Sequence, residues 1–159
     1  MTGLYISVLK MDNISELKQS ITQLVSRQKL AVLSSFGKGQ PYASLVAFAA
    51  TEDLKYILFA TTRSTRKYTN LSLESNVALL IDNRTNEETD FSYAAAATAL
   101  GRAEEIRDPQ RESLINIYLA KHPHLREFVT SPSCALVQVT VQKYYLVNRF
   151  QNVQELHIQ

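Results

Sequence analysis

The chain is most tightly constrained between Gln40 and Asp82. There, three short apolar runs are separated by turn residues and by one polar, cationic segment. The runs are Gln40-Pro-Tyr-Ala-Ser-Leu-Val-Ala-Phe-Ala-Ala50, Lys55-Tyr-Ile-Leu-Phe-Ala-Thr61 and Asn76-Val-Ala-Leu-Leu-Ile-Asp82. Each is short, rich in apolar residues and bounded by turn formers, the pattern of a buried strand. Between the second run and the third sits a short polar piece, Thr62–Leu71, which holds Arg63, Ser64, Thr65, Arg66, Lys67 and Thr69 with no acidic residue. Ser64 or Thr65 is placed to cap a short helix over Lys67–Leu73. A strand ends, cations and hydroxyls gather, and a helix begins. The first N–H groups of a helix lack internal partners and lie at the positive end of its dipole, so an anion, most often a phosphate, is well held there. A solvated charged turn has the same composition, and composition alone does not separate the two.

At 159 residues the chain is expected to form a single domain, 1–159, around one core of ordinary size. Apolar residues make up 45% and charged residues 20%, the balance of a soluble globular protein. A net charge of +2 gives no basis for a nucleic-acid partner. The single cysteine, Cys134, excludes an internal disulfide and a Cys-based zinc site, and fits a cytoplasmic setting. No run approaches the roughly 20 apolar residues that span a bilayer. Leu4–Leu9 is apolar but short and has no basic stretch before it, so neither a membrane anchor nor a secretory signal is expected.

In chain order, the first dozen residues are expected as an arm. Ile14, Leu17, Ile21, Leu24 and Val25 then recur at helical spacing, with Asn13 and Glu16 as a capping-box-like start, and predict a helix over Ile14–Gln28. Leu30–Phe36 reads as a strand, Gly37-Lys38-Gly39 as a hairpin turn, Pro41–Ala50 as the second strand. Small residues on both faces of that second strand suit either tight sheet packing or close approach of a flat ring. Lys55–Thr61 and Asn76–Asp82 are the third and fourth strands, and 83–92 is a polar loop with room for one helical turn. Four successive alanines, Ala94 to Ala97, favour helix on propensity. Asp108-Pro109 reads as a helix start reaching to about Lys121, and Leu125–Val129 as a short helix. Cys134–Asn148 is the longest strand, with Val137, Val139 and Val141 alternating with polar residues. Arg149–Gln159 is amphipathic and suited to covering a sheet edge.

The succession of strand, Pro-x-Ala-Ser-Leu-Val strand, strand ending Phe-Ala-Thr61, basic loop, helix with Asn70-Leu71, and Asn-Val-Ala-Leu-Leu-Ile-Asp strand resembles the pyridoxamine-5′-phosphate-oxidase-like family of FMN-binding split β-barrels. The resemblance covers about Leu30 to Ile106. It implies a mainly β, α+β fold, a six-stranded antiparallel split barrel with peripheral helices. It also makes Tyr93–Arg102 a strand, against its propensity, running into the family's Gly-x-Ala-Glu turn at Gly101–Glu104. The implied cofactor is FMN, held at a homodimer interface. The implied phosphate positions are Arg66 and Lys67, with Ala60 and Thr61 at the strand end and Arg63, Ser64 and Thr65 as local additions. The implied ring edge is Ala43, Ser44, Leu45 and Val46. Three departures argue against a true pyridoxamine phosphate oxidase. The second strand opens Pro41-Tyr42 where the oxidase carries a flavin-holding Arg. The strand before Gly101 is alanine where the oxidase has a Gln near the ring. Asn148-Arg149-Phe150-Gln151 does not match the oxidase's Arg-x-His substrate motif. The leading expectation is an FMN-binding protein, either an oxidoreductase of unspecified substrate or a flavin binder without turnover.

A haem or deazaflavin binder of the same fold, or a non-catalytic binding module gripping a partner through the basic loop, are the alternatives. His122, His124 or His157 would be candidate axial ligands for haem. His122 and His124 flank a proline without a nearby carboxylate, a poor metal pair. Cys134 reads as an inert thiol ahead of a strand. Tyr144-Tyr145 reads as core plus edge, or as the lining of a dimer pocket. Glu87, Glu88 and Asp90 read as solvated loop charges. Only Tyr68 would accompany the cations in a nucleic-acid site, and its spacing to Leu71 favours packing.

Overall fold

A computed structural model describes residues 2–149 and 152–159. Phe150 and Gln151, part of the tetrapeptide compared with the oxidase's C-terminal motif, lie outside the described residues.

Six strands close an antiparallel barrel: β1 (Leu30–Gly37), β2 (Gln40–Ala50), β3 (Tyr56–Thr62), β4 (Asn76–Asp82), β5 (Ala95–Glu105) and β6 (Cys134–Asn148). Their order is β3-β2-β1-β4-β5-β6, and β3 pairs back onto β6 to complete the ring. Closure removes the sheet edges that would otherwise template aggregation. A seventh strand, β7 (Asn152–His157), pairs with the far half of β6. The amphipathic C-terminus therefore covers an edge by joining the sheet.

Alternation does the sorting. Leu33, Phe48, Ile57, Phe59, Leu79, Ile81, Val139 and Tyr144 point inward and are fully buried. The long helix α1 (Thr2–Arg27) adds Leu17, Ile21, Leu24 and Val25 to the same core. It begins well before Asn13, so the expected arm is helical and Asn13 lies within the helix rather than capping it. Two short helices, α2 (Arg66–Leu73) and α3 (Asp90–Tyr93), follow β3 and β4, and outside the barrel α4 (Arg111–Lys121) lays Ile115, Tyr118 and Leu119 over Ala49, Leu58, Ala60 and Leu136. Asp108, Pro109 and Gln110 form a turn before it, one step earlier than the helix proper. The opposite outer face carries a row that crosses the sheet by register, Leu45–Val32–Leu80–Thr98–Tyr145. Leu45 at its end is 66% exposed, whereas Val32, Leu80, Thr98 and Tyr145 are half-buried.

The alanine run enters a strand at Ala95, two residues later than expected, because Tyr93 ends the one-turn helix Asp90–Tyr93 and Ala94 follows it. Ala97 and Ala99 face the core at 0% exposure, and β5 pairs along its length with both β4 and β6. Two neighbouring ladders and a buried face outweigh about 0.5 kcal/mol per residue of helix preference. A bulge at Leu100/Gly101 lets β5 turn against β6. A Cβ on Gly101 would stand 2.3 Å from the Thr140 carbonyl oxygen, so only glycine fits. At the other tight turn, Lys38 (φ 52°) and Gly39 (φ 72°) make a two-residue hairpin loop with both φ values positive. Among the described residues no helix is long and apolar enough to cross a membrane.

Candidate functional site: the basic loop and the second strand

The basic loop is the link between β3 and α2 (Arg66–Leu73). Its cap is Thr65, in extended conformation, whose Oγ1 accepts from Tyr68 N at 3.4 Å. Thr65 Oγ1 also donates to the Thr62 carbonyl at 2.9 Å and lies 3.0 Å from Thr61 Oγ1. Two hydroxyls thus sit together at the first turn of the helix, one buried (Thr61) and one half-buried (Thr65). Ser64 is exposed, at the limit of hydrogen-bond distance (3.5 Å) from Thr62 Oγ1.

The three cations divide into two roles. Arg63 Nε reaches Glu105 Oε1 at 3.1 Å, and its Nη1 donates to the Pro132 carbonyl at 2.7 Å. Glu105 also accepts the Tyr68 hydroxyl on Oε2 at 2.6 Å. Hydrogen bonding from Arg63 holds the Glu105 carboxyl below its usual range, with Tyr68 adding to the effect and partial burial opposing it. The guanidinium of Arg63 is therefore spent on framing the loop against the end of β5 and the approach to β6. Arg66 and Lys67 make no ion pair among the described residues. Arg66 is exposed and lies over the ring of Tyr42, 4.6 Å from its centroid. That stack orients the guanidinium and leaves its N–H edge open.

A buried polar chain ties α2 to the hairpin carrying Tyr42. Asn70 Nδ2 donates to Ser35 Oγ at 3.1 Å, and Ser35 Oγ donates to the Tyr42 carbonyl at 3.4 Å. Both Asn70 and Ser35 are 3% exposed. Gly37 makes the room, since a Cβ there would fall 2.1 Å from Asn70 Oδ1.

On β2, Ala43 and Leu45 face outward and are exposed, while Ser44 and Val46 share the inward row. Ser44 Oγ has no hydrogen-bond partner, the only such buried side-chain atom among the described residues. A buried hydroxyl without a partner costs about 1–3 kcal/mol, so a ligand group bonding it would recover that loss. Ala60 lies under α4, in the packing of the barrel wall. The fold thus brings Thr61, Thr65, Arg66 and Lys67 to one corner beside Tyr42 and places Ala43–Val46 on the adjoining strand. The residues present fit a phosphate at the helix start and a flat ring along β2. Sequence reasoning missed Tyr42 and Glu105. The Pro41-Tyr42 strand opening was a usable signal for the first, whereas Glu105 pairs with Arg63 across 42 positions of sequence.

The remaining candidates lie elsewhere. His122 is 2% exposed and its Nε2 is bonded to the Phe48 carbonyl at 2.8 Å. Burial lowers its pKa, opposed by that bond. His157 sits on β7, 2.8 Å from Glu155 Oε1. Cys134 is buried and its thiol pKa is raised, chiefly by burial. Tyr144 is core and donates to the Leu54 carbonyl at 3.0 Å, while Tyr145 is half-buried on the outer face, in register with Thr98. Asp90 is not merely solvated: it accepts from Thr85 N and Asn86 N and shapes its loop.

The sequence profile of a family described as pyridoxamine 5′-phosphate oxidase matches residues 17–148. No curated protein matches the chain. Among solved structures, a heme-binding protein from Mycobacterium smegmatis superposes with a TM-score of 0.79 at 13% identity, covering 88% of this chain. This chain spans only 57% of that protein. General stress protein 26 from Bacillus anthracis str. Sterne gives a TM-score of 0.69 at 20% identity, over 89% of this chain and 98% of the other. An FAD-binding protein from Mesorhizobium loti gives 0.63 at 12% identity, over 79% and 89%. Identities this low establish a shared fold.

Proposed function

The chain belongs to the pyridoxamine 5′-phosphate oxidase family, and from that premise we propose that it binds FMN and serves as a flavin-dependent oxidoreductase for a small-molecule substrate. The observation that carries the reading is the pair Arg66 and Lys67. They open a helix capped by Thr65, with no carboxylate to neutralise them among the described residues. A phosphate there meets a guanidinium fork, a point charge, the helix N–H groups and the hydroxyls of Thr61 and Thr65. Arg63 acts as a strut through Glu105, and Ser64 lies at the open side of the loop. The backbone of Ala43–Val46 runs along the ring edge, and Ser44 Oγ supplies a hydrogen bond to a ring heteroatom. When bound, FMN supplies the electron-transfer chemistry, and the chain binds, orients and shields it.

We place the flavin at a homodimer interface. Leu45, on the open side of the site, begins a row that runs on through the half-buried Val32 and Leu80, and a partly open apolar sheet face is suited to a second copy of the chain. The oxidase's Arg-x-His substrate motif has no match in this sequence, so pyridoxine chemistry is not part of the proposal. A cytoplasmic setting fits the single buried thiol.

The test is the visible spectrum of the purified protein before and after FMN is added, with fluorescence titration of the wild type and of Arg66→Ala/Lys67→Ala. A two-band flavin spectrum, and at least a tenfold loss of affinity (about 1.4 kcal/mol) in the folded double variant, are expected. Equal affinity in the double variant would remove the phosphate assignment. A haem-binding reading draws on the heme-binding protein of like fold. It is the weaker one, since His122 Nε2 is committed to Phe48. A sharp haem band in the same spectrum would reverse that order.

A further inference from the structure

A second polar groove, of about 490 Å³, lies between the C-terminal half of α1 and the ends of β4, β5 and β6. Its charged lining consists of Arg27 and Arg149, with no carboxylate. Neither arginine forms an ion pair among the described residues. Between them the wall is built of neutral hydrogen-bonding side chains, Gln23, Gln28 and Asn148 among them, over an apolar floor of Leu24 and Leu146. At its rim stands Tyr93, 81% exposed, which offers an aromatic face to the groove.

The end of a helix is ordinarily a poor place for an anion, because its last carbonyls point outward with partial negative charge. Here two of those carbonyls are answered. Val25 O accepts Lys121 Nζ at 2.8 Å, and Leu24 O accepts Gln28 N at 3.1 Å. The two arginines are therefore left to act on whatever enters the groove. Two guanidiniums without acids match a dianion, and amides beside an exposed ring match a flat heterocycle.

We infer that this groove is a second ligand site, for a small organic phosphate bearing a flat ring, of the class of a nucleoside monophosphate. It is separate from the Arg66–Lys67 corner and does not depend on the FMN reading. It recruits Arg27 and Arg149 for the phosphate, Tyr93 for stacking, and Gln23, Gln28 and Asn148 for the ring edge.

The test is isothermal titration of the full chain with AMP at millimolar concentrations, repeated with inorganic phosphate and with adenosine. Saturable AMP binding, weakened at least tenfold in Arg27→Gln/Arg149→Gln and severalfold in Tyr93→Ala, is expected. Inorganic phosphate should compete, and FMN affinity in the double variant should stay at the wild-type value. Circular dichroism identifies a misfolded variant, in which case Arg27→Lys, retaining charge but losing the fork, is expected to show intermediate affinity. Absence of saturable AMP binding, or wild-type affinity in the folded double variant, would overturn the assignment. AMP binding abolished by Arg66→Ala/Lys67→Ala instead would place that ligand in the basic loop and overturn it equally.

Discussion

Arg63 and Glu105 meet through a single carboxylate oxygen: the arginine's Nε and Nη2 both donate to Oε1, leaving Oε2 to the Tyr68 hydroxyl. One carboxylate thus fastens the loop after β3 and the first turn of α2 to the end of β5. The site's geometry depends on this pin, because Arg66 and Lys67 sit on the element it holds.

Glu105 should therefore make the protein acid-sensitive in a specific window. Its carboxyl is depressed below the ordinary 4.5, first by Arg63 and then by Tyr68. A depressed carboxyl stabilises the fold above its unfolded pKa, and that contribution is lost as pH falls through the lower folded value. Denaturant titrations of wild type and Glu105→Gln should show the wild type losing more stability below pH 4.5. The pair is partly exposed, so the difference is expected at about 1 kcal/mol. Parallel curves for the two proteins would show that Glu105 is not the group responsible.

The stack of Arg66 on Tyr42 predicts an order among three variants. Arg66→Lys keeps the charge and loses the fork, so FMN affinity should fall less than in Arg66→Ala. Tyr42→Leu leaves the cation but removes the platform 4.6 Å away, and should cost about 0.5–1 kcal/mol, a few-fold in affinity. Fluorescence titration of the three reads the order directly. A Tyr42→Leu protein weaker than Arg66→Ala would mean that Tyr42 itself touches the flavin.

How much of this was legible in the sequence depended on the range of the interaction. β4 and β6 were readable to the residue, Asn76–Asp82 and Cys134–Asn148, because alternation and turn residues are local. The Thr65 cap was legible for the same reason. β5 was legible only by resemblance, since its alanines prefer helix and become a strand through pairing with β4 and β6. The N-terminal extension of α1 was missed because Asn13 and Glu16 imitate a helix start. The division of labour among the cations was beyond reach, because it is set by Glu105 and Pro132, 42 and 69 positions from Arg63.

Gly101 offers a sharp test of the barrel's closure. Gly101→Ala would drive a methyl to 2.3 Å from the backbone oxygen of Thr140 and 2.8 Å from Val139 Cγ1. Backbone cannot move aside as a flexible side chain can, so β5 and β6 must part at the bulge. A loss of at least about 2 kcal/mol is expected, read as a lowered denaturation midpoint. Gly39→Ala meets nothing within 4 Å and strains only through its φ of +72°, so it should cost less. Equal losses in the two variants would contradict the close approach at Gly101.

Lys121 sets a second pH dependence, of the opposite range. It docks α4 to α1 through Val25 O and lies 4.0 Å from the centroid of the Phe48 ring. Burial first, and nearby Lys29 second, lower its pKa from 10.5 to about 8. Below about 8 the amine is charged in both folded and unfolded chains, and the cost of burying that charge is fully present. Above that value the folded protein has released a proton that the unfolded chain still binds, so stability rises with pH towards 10.5. Tyr118 opposes this at the upper end, because burial raises its hydroxyl from 10.0 to about 12 and the unfolded chain ionises first. The rise should therefore be read between about pH 8 and 10. Lys121→Met keeps the apolar stem over Phe48 and removes the titrating group. It should flatten the wild-type rise in urea-unfolding free energy across that window, while forfeiting the bond to Val25 O at neutral pH. A rise of equal size in the variant would assign the effect to another group.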